Sequence, residues 1–213
     1  MRTERFKDLL PVDRLRAAQC SVIGVGAIGR QVALQLAAMG VGRLHLVDFD
    51  VVEEINLGPQ GYLAEDVGQR KVEATASLAR RLNPELLVDA CAERFAKSMG
   101  LAPIVFCCVD SIQTRRTVFE AVKDRSECFV DGRMAAEVLR VITAYDAVTR
   151  HRYSATLFDP SQAHRDGCTA RSTVYCANIA AGVMLGQFTK WLRQLKPDFD
   201  ITFNIFSAEL SVS

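Results

Sequence analysis

"CSVIGVGAIGRQVALQLAAMGVGRLHLVDFD", residues 20–50, decides the fold. An apolar run leads into Gly24, Gly26 and Gly29 in GxGxxG spacing. "AIGRQVALQLAAMG" then carries apolar residues at helical intervals, and Gly40 and Gly42 mark a turn. A second apolar run, "RLHLVDFD", ends in acid. The pattern reads strand, phosphate-type turn, helix, strand. Glycines allow the sharp turn and a close backbone approach, and the helix N-terminus offers free N–H groups to an anion. By spacing alone, NAD or FAD is as good an occupant as any other nucleotide.

The βα rhythm continues outward. Residues 65–84 read as a helix stopped at Asn83-Pro84, followed by the strand "LLVDACA". "PIVFCCV" has the unbroken apolar character of a strand buried on both faces. A helix over 111–124 and the strand "ECFVDG" follow. Asp131 and Arg133 at that strand's end either face the nucleotide crevice or the substrate's tail, or close a turn, which Gly132 suggests. Then the rhythm changes. "VLRVITAY" and "HRYSATLF" read as adjacent strands with "DAVTR" as the turn between them. A polar segment over 157–172 precedes a helix of roughly 173–194, and "DITFNIF" and "AELSVS" close the chain as short strands. The expected fold is α/β: a Rossmann-like, doubly wound, mostly parallel sheet with antiparallel C-terminal strands, in a single domain over 1–213.

Composition narrows the function. Of 213 residues, 49% are hydrophobic and 24% charged, enough to bury a core. The net charge of +1 gives no electrostatic support to nucleic-acid binding. The charged N-terminus lacks a signal peptide's apolar centre, and no apolar stretch is long enough to span a membrane. Seven irregularly spaced cysteines without a CxxC pair read as reduced thiols in a cytoplasmic protein rather than a zinc site.

The stretch after the second strand carries more specific chemistry. Asp48 is placed to hold a ribose hydroxyl pair. Asp50, Asn56, Gln60 and Lys71 share one polar connection and the entry to the next helix. A dehydrogenase has no use for that set. A triphosphate site does, because lysine neutralises phosphate charge and amides orient it. In order, "GVGAIG", "DFDVVEEINL", "GQRK", "NP" and "CCVDSIQTRR" make the chain resemble the ThiF/MoeB/ubiquitin-activating superfamily. Members adenylate the C-terminal carboxylate of a ubiquitin-like protein. The resemblance implies ATP contacts at Gly24, Gly26, Asp48, Asn56 and Lys71, and a magnesium-linked carboxylate at Asp110. A competing reading makes Asp110 the N-cap of the following helix.

The pattern has departures. Pro59 of "NLGPQ" stands where the family has an arginine, and Asp8 stands where a second N-terminal arginine is expected after Arg5. Arg2, Arg14 and Arg70 are the candidates to compensate; otherwise the chain is a catalytically weakened adaptor. In several family members the segment before the late helix carries a cysteine that receives the acyl group. "GCTARST" sits there, making Cys168 the candidate thioester site, with Arg165 and Arg171 favouring its thiolate. Arg171 is also a candidate clamp for the substrate's tail, and Cys176 is a weaker acceptor expected to be buried. The resemblance further implies Mg²⁺, a ubiquitin-conjugating-type or sulfur-carrier partner and a symmetric homodimer. An NAD-dependent oxidoreductase and a tRNA-modifying dehydratase are the rival readings.

Overall fold

The computed structural model describes residues 6–157 and 173–213. The opening stretch folds as its pattern requires: α1 (Val12–Ala17), β1 (Gln19–Ile23), α2 (Ala27–Met39), β2 (Arg43–Val47). A short helix α3 (Leu57–Gln60) lies in the polar connection, followed by α4 (Lys71–Leu82) and β3 (Leu87–Cys91). Next come β4 (Ile104–Cys107), α5 (Ile112–Val122), β5 (Cys128–Ala135), β6 (Val138–Ala144) and α6 (Ala147–Ala155). The chain ends with α7 (Val174–Leu192), β7 (Asp200–Asn204) and β8 (Glu209–Val212).

All eight strands form one sheet in the order β3-β2-β1-β4-β5-β6-β7-β8. The first five run parallel, and β6, β7 and β8 are antiparallel additions. The expected fold class is therefore the observed one. Helices cover both faces, and the apolar residues divide accordingly. Cys20, Val22, Leu44, Leu46 and Phe106 pack with α2, α4 and α7, whereas Ile23, Val105, Phe129 and Ile142 pack with α5 and α6. On the second face Phe119, Phe129 and Tyr153 form a ring cluster with centroids 4.4–5.3 Å apart. No helix among the described residues is long and apolar enough to cross a membrane.

Three expectations are corrected. "DAVTRHRYSA" is not a turn and strand but α6. Asp146 caps it through Thr149 N–H at 2.7 Å, and Thr149 and Tyr153, four residues apart, form its buried face, with buried Leu157 continuing the interval just past its end. The strand pairing with β6 is instead β5, which runs through Gly132 to Ala135. Gly132 makes no turn: a Cβ there would meet Met184 Sδ at 2.4 Å, so its missing side chain lets α7 seat on the sheet. Finally, the helix expected from residue 65 begins only at Lys71. The preceding residues form a 3₁₀ turn over Ala64–Asp66 and a reversal at Gly68, which set Arg70 and Lys71 at the helix start.

Candidate active site

Strand order reverses at β1, which lies between β2 and β4. In open α/β sheets such a reversal parts the loops beyond the strand ends and leaves a crevice. Gly24 takes φ +83° there, and a Cβ on it would meet the Cys108 carbonyl oxygen at 2.8 Å. The turn thus presses against the end of β4. Gly29 is tighter still: its Cβ would lie 1.8 Å from Gly24 O. Gly26 differs, since an added Cβ would find only Gln60 Oε1, at 3.9 Å. Gly26 is the N-cap of α2 and no side chain among the described residues caps that end, so the first helical amides stay available to an anion.

Asp48 anchors this turn. Its Oδ2 accepts the Val25 N–H at 2.7 Å and its Oδ1 accepts the Asp50 N–H at 2.9 Å. A carboxylate has about four acceptor positions, so lone pairs remain for a ribose hydroxyl. Beside the turn lies a cavity of about 330 Å³ lined by Phe49, Asp50, Val51, Glu53, Asn56, Arg70 and Lys71. The structure therefore brings together Asp50, Asn56 and Lys71 from the expected set. Lys71 is buried, its Nζ 3.1 Å from Asp50 Oδ2. Asn56 Oδ1 accepts the Glu53 N–H at 3.0 Å, leaving the Asn56 amide N–H groups as the donors on offer. Gln60 sits in the layer next to Gly26; its Oε1 is buried and has no partner among the described residues.

The candidates for the missing charge part company. Arg70 lines the cavity, its NH1 donating to the Phe49 carbonyl at 2.7 Å, and it makes no ion pair among the described residues. Arg14 lies over the Trp191 ring at 5.9 Å, on the α7 side of the molecule. Arg2, Arg5, Arg165, Cys168 and Arg171 lie outside the described residues.

Asp110 stands exposed just beyond the end of β4. The cap of α5 is Ser111, whose Oγ accepts the Thr114 N–H at 3.3 Å, so the capping role considered for Asp110 falls to its neighbour. No group of three or more metal-ligating side chains exists among the described residues. A lone carboxylate still suits Mg²⁺, which takes one or two carboxylates together with phosphate oxygens and water.

Two polar networks escaped sequence reading. Asp131 is fully buried, and it closes no turn. It accepts from Arg115, from Arg133 Nε at 2.7 Å and from the Tyr153 hydroxyl at 2.9 Å. Arg115 also donates to the Val109 carbonyl, directly before Asp110, and Arg133 holds Thr156 O at 3.1 Å. The second network joins Arg30, Tyr62 and Thr75 beneath the glycine turn. Arg30 followed a glycine motif and Tyr62 sat in a loop; neither carried a signal of burial. The thiols behave as expected. Burial pushes the Cys20, Cys107 and Cys176 thiols up and the Cys128 thiol up to about 12, so none of them is poised as a nucleophile.

Comparison with known proteins gives this geometry a context. The ThiF family profile matches residues 3–211. The chain is 38% identical over 135 residues to the adenylyltransferase and sulfurtransferase MOCS3 of Bos taurus, covering 60% of this chain and 28% of that protein. It is 26% identical over 216 residues to the ubiquitin-like modifier-activating enzyme 5 of Caenorhabditis elegans, covering 90% of this chain and 52% of the relative. The chain thus spans between about a quarter and a half of these relatives. E. coli MccB, solved with ATP, superposes with a TM-score of 0.73 at 17% identity, over 95% of this chain and 65% of that one. PaaA superposes with a TM-score of 0.77 at 19% identity, over 95% of this chain and 65% of that one. These two likenesses concern the fold.

Proposed function

Because the chain belongs to the ThiF family, we propose that it adenylates a carboxylate with ATP and that this carboxylate is the C-terminus of a ubiquitin-like protein. The observation that carries the reading is the pair Arg70–Lys71, set at one helix start, lining a cavity beside an uncapped glycine turn. Two anions must meet in this reaction, so the protein's task is to bring them together and cancel charge. A substrate carboxylate oxygen attacks the α-phosphorus, the bond from that phosphorus to the oxygen bridging toward the β-phosphate breaks, and pyrophosphate leaves. The carboxylate is ionised at neutral pH, so no general base is needed.

Each residue has a defined part in that step. Gly24 and Gly26 let the backbone reach the phosphates, and Gly29 lets the helix close on the turn. Asp48 orients the ribose and Asn56 donates its amide. Gln60 offers its buried oxygen, unpaired among the described residues, to a hydroxyl. Lys71 neutralises phosphate oxygens and Asp50 holds it in place. Arg70 is the arginine that takes the place vacated at Pro59. Asp110 holds Mg²⁺. Bound there, the ion would supply positive charge to the phosphates and to the departing pyrophosphate. Hand-over through Cys168 extends the proposal from the sequence alone: its thiolate attacks the acyl carbonyl, a thioester forms and AMP leaves. Arg171 clamps the tail. A symmetric homodimer and a conjugating or sulfur-carrier partner complete the reading.

The test is ATP–pyrophosphate exchange with candidate ubiquitin-like proteins. Exchange that needs both Mg²⁺ and a free C-terminal carboxylate is the expected result. Binding of NAD without binding of ATP would overturn it. Cys168→Ala separates the second stage: it abolishes the thiol-sensitive adduct while exchange persists.

A further inference from the structure

Val25, between the first two glycines, has both backbone groups held. Its N–H donates to Asp48 Oδ2 at 2.7 Å, and its carbonyl accepts the Tyr62 hydroxyl at 2.6 Å. Tyr62 has one proton and three oxygen neighbours: Val25 O at 2.6 Å, Thr75 Oγ1 at 3.3 Å and Lys71 O at 3.4 Å. Arg30 sets the direction of the bonds. A guanidinium can only donate, and Arg30 NH1 lies 3.1 Å from Thr75 Oγ1. Thr75 therefore accepts from Arg30 and spends its own proton on the Tyr62 oxygen. The Tyr62 proton is left for Val25, its shortest contact. Arg30, Thr75, Tyr62 and Val25 are all buried, and donors aligned in one direction strengthen one another. Burial raises the Tyr62 phenol, so it stays a donor through the physiological range. Arg30 also lies 4.0 Å over the Tyr62 ring and donates through Nε to Gly61 O at 3.2 Å, which fixes the tyrosine's position.

We propose that Tyr62 is a positioning residue that aims the Gly26 amide into the nucleotide crevice; the claim rests on the adenylation reading above. All described peptides are trans, so the Val25 carbonyl and the Gly26 N–H lie in one plane and point in opposite directions. Holding the carbonyl inward turns the amide outward. That N–H has no partner among the described residues. A donor already aimed needs no reorganisation when a phosphate arrives. Asp48 does the reverse at the preceding peptide: it holds the Val25 N–H, and the Gly24 carbonyl faces Gly29.

Tyr62→Phe removes only the hydroxyl and tests the claim in two ways. In the nucleotide-free protein, the Gly26 amide should shift in ¹⁵N–¹H spectra and exchange faster with solvent. With Mg²⁺ present, the Kd for ATP should rise about tenfold, equivalent to ~1.4 kcal/mol. KM for ATP should rise with it while kcat changes less. Thr75→Val, which breaks the relay without touching the ring, should move all of these the same way, and Thr75→Ser should restore them. An unchanged Gly26 amide together with wild-type ATP affinity in Tyr62→Phe overturns the proposal. A wild-type chain that binds no ATP sinks the adenylation reading instead, and the Gly26 amide then decides the positioning claim alone.

Discussion

Lys71 is latched to Asp50 twice: its Nζ lies 3.1 Å from Asp50 Oδ2, and its backbone N–H donates to the Asp50 carbonyl at 3.0 Å. The half-exposed acid holds the ammonium at the cavity wall, while Arg70 beside it lines the cavity without an acidic partner among the described residues. Both cations should count in catalysis. Lys71→Ala is expected to lower kcat/KM in pyrophosphate exchange by about 10²–10³-fold, as loss of a preorganised charge partner does. Arg70→Ala should lower it severalfold or more, while Arg14→Ala, at a guanidinium lying over the Trp191 ring, should leave it unchanged. Equal effects of the Arg70 and Arg14 changes would remove Arg70 from the site.

The metal role proposed for Asp110 is tested through Mg²⁺ dependence. Asp110→Asn keeps the size of the side chain and, with Ser111 capping α5, leaves the helix start intact. The Mg²⁺ concentration for half-maximal exchange should rise at least tenfold while the melting temperature holds. Wild-type Mg²⁺ dependence would assign the ion elsewhere.

The glycines of the turn should separate fold from function. Gly29→Ala places a methyl 1.8 Å from Gly24 O and should prevent stable folding, measured as loss of a cooperative melt. Gly26→Ala meets nothing closer than 3.9 Å and should leave the melt near wild type. Yet its methyl projects at the helix N-terminus where phosphates are expected, so affinity for ATP should fall.

Asp131 makes a stability prediction. Asp131→Ala leaves Arg115 and Arg133 buried or nearly so without their carboxylate. Breaking a buried pair from one side costs about 3–5 kcal/mol, read from denaturant unfolding. A loss below ~1 kcal/mol would mean that solvent reaches the cluster.

Acid should act on α6. Hydrogen bonds from Thr149 hold the Asp146 carboxyl below its ordinary 3.8. A depressed carboxylate stabilises the folded chain above that ordinary value, and the contribution fades as pH falls through the lower, folded one. Asp146→Ala should therefore narrow the stability gap from wild type below about pH 4. A gap that stays constant to pH 2 would place the effect elsewhere.

The glycine turn, the mostly parallel sheet and the place of Asp48 after the second strand were legible because each follows from local spacing, whereas Asn56 and Lys71 were singled out by the polar connection and the family resemblance. α6 was misread because Tyr153, Ala155 and Leu157 alternate, as they would on a strand. The four-residue interval from Thr149 to Tyr153 to Leu157 and the Asp146 cap held the opposite message. Gly132 looked like a turn because glycine has two uses, and only Met184, more than fifty residues away, chooses between them. The Asp131 and Tyr62 networks were invisible for the same reason. A buried charge or hydroxyl is made tolerable by partners that the chain brings from a distance, and no window of sequence contains them.

Arg133 grips Thr156 through both its carbonyl and its hydroxyl, Arg116 donates to the Leu157 carbonyl, and Thr173 caps α7. Thr156 and Leu157 are therefore moored to β5 and α5, and α7 starts from a post of its own at Thr173.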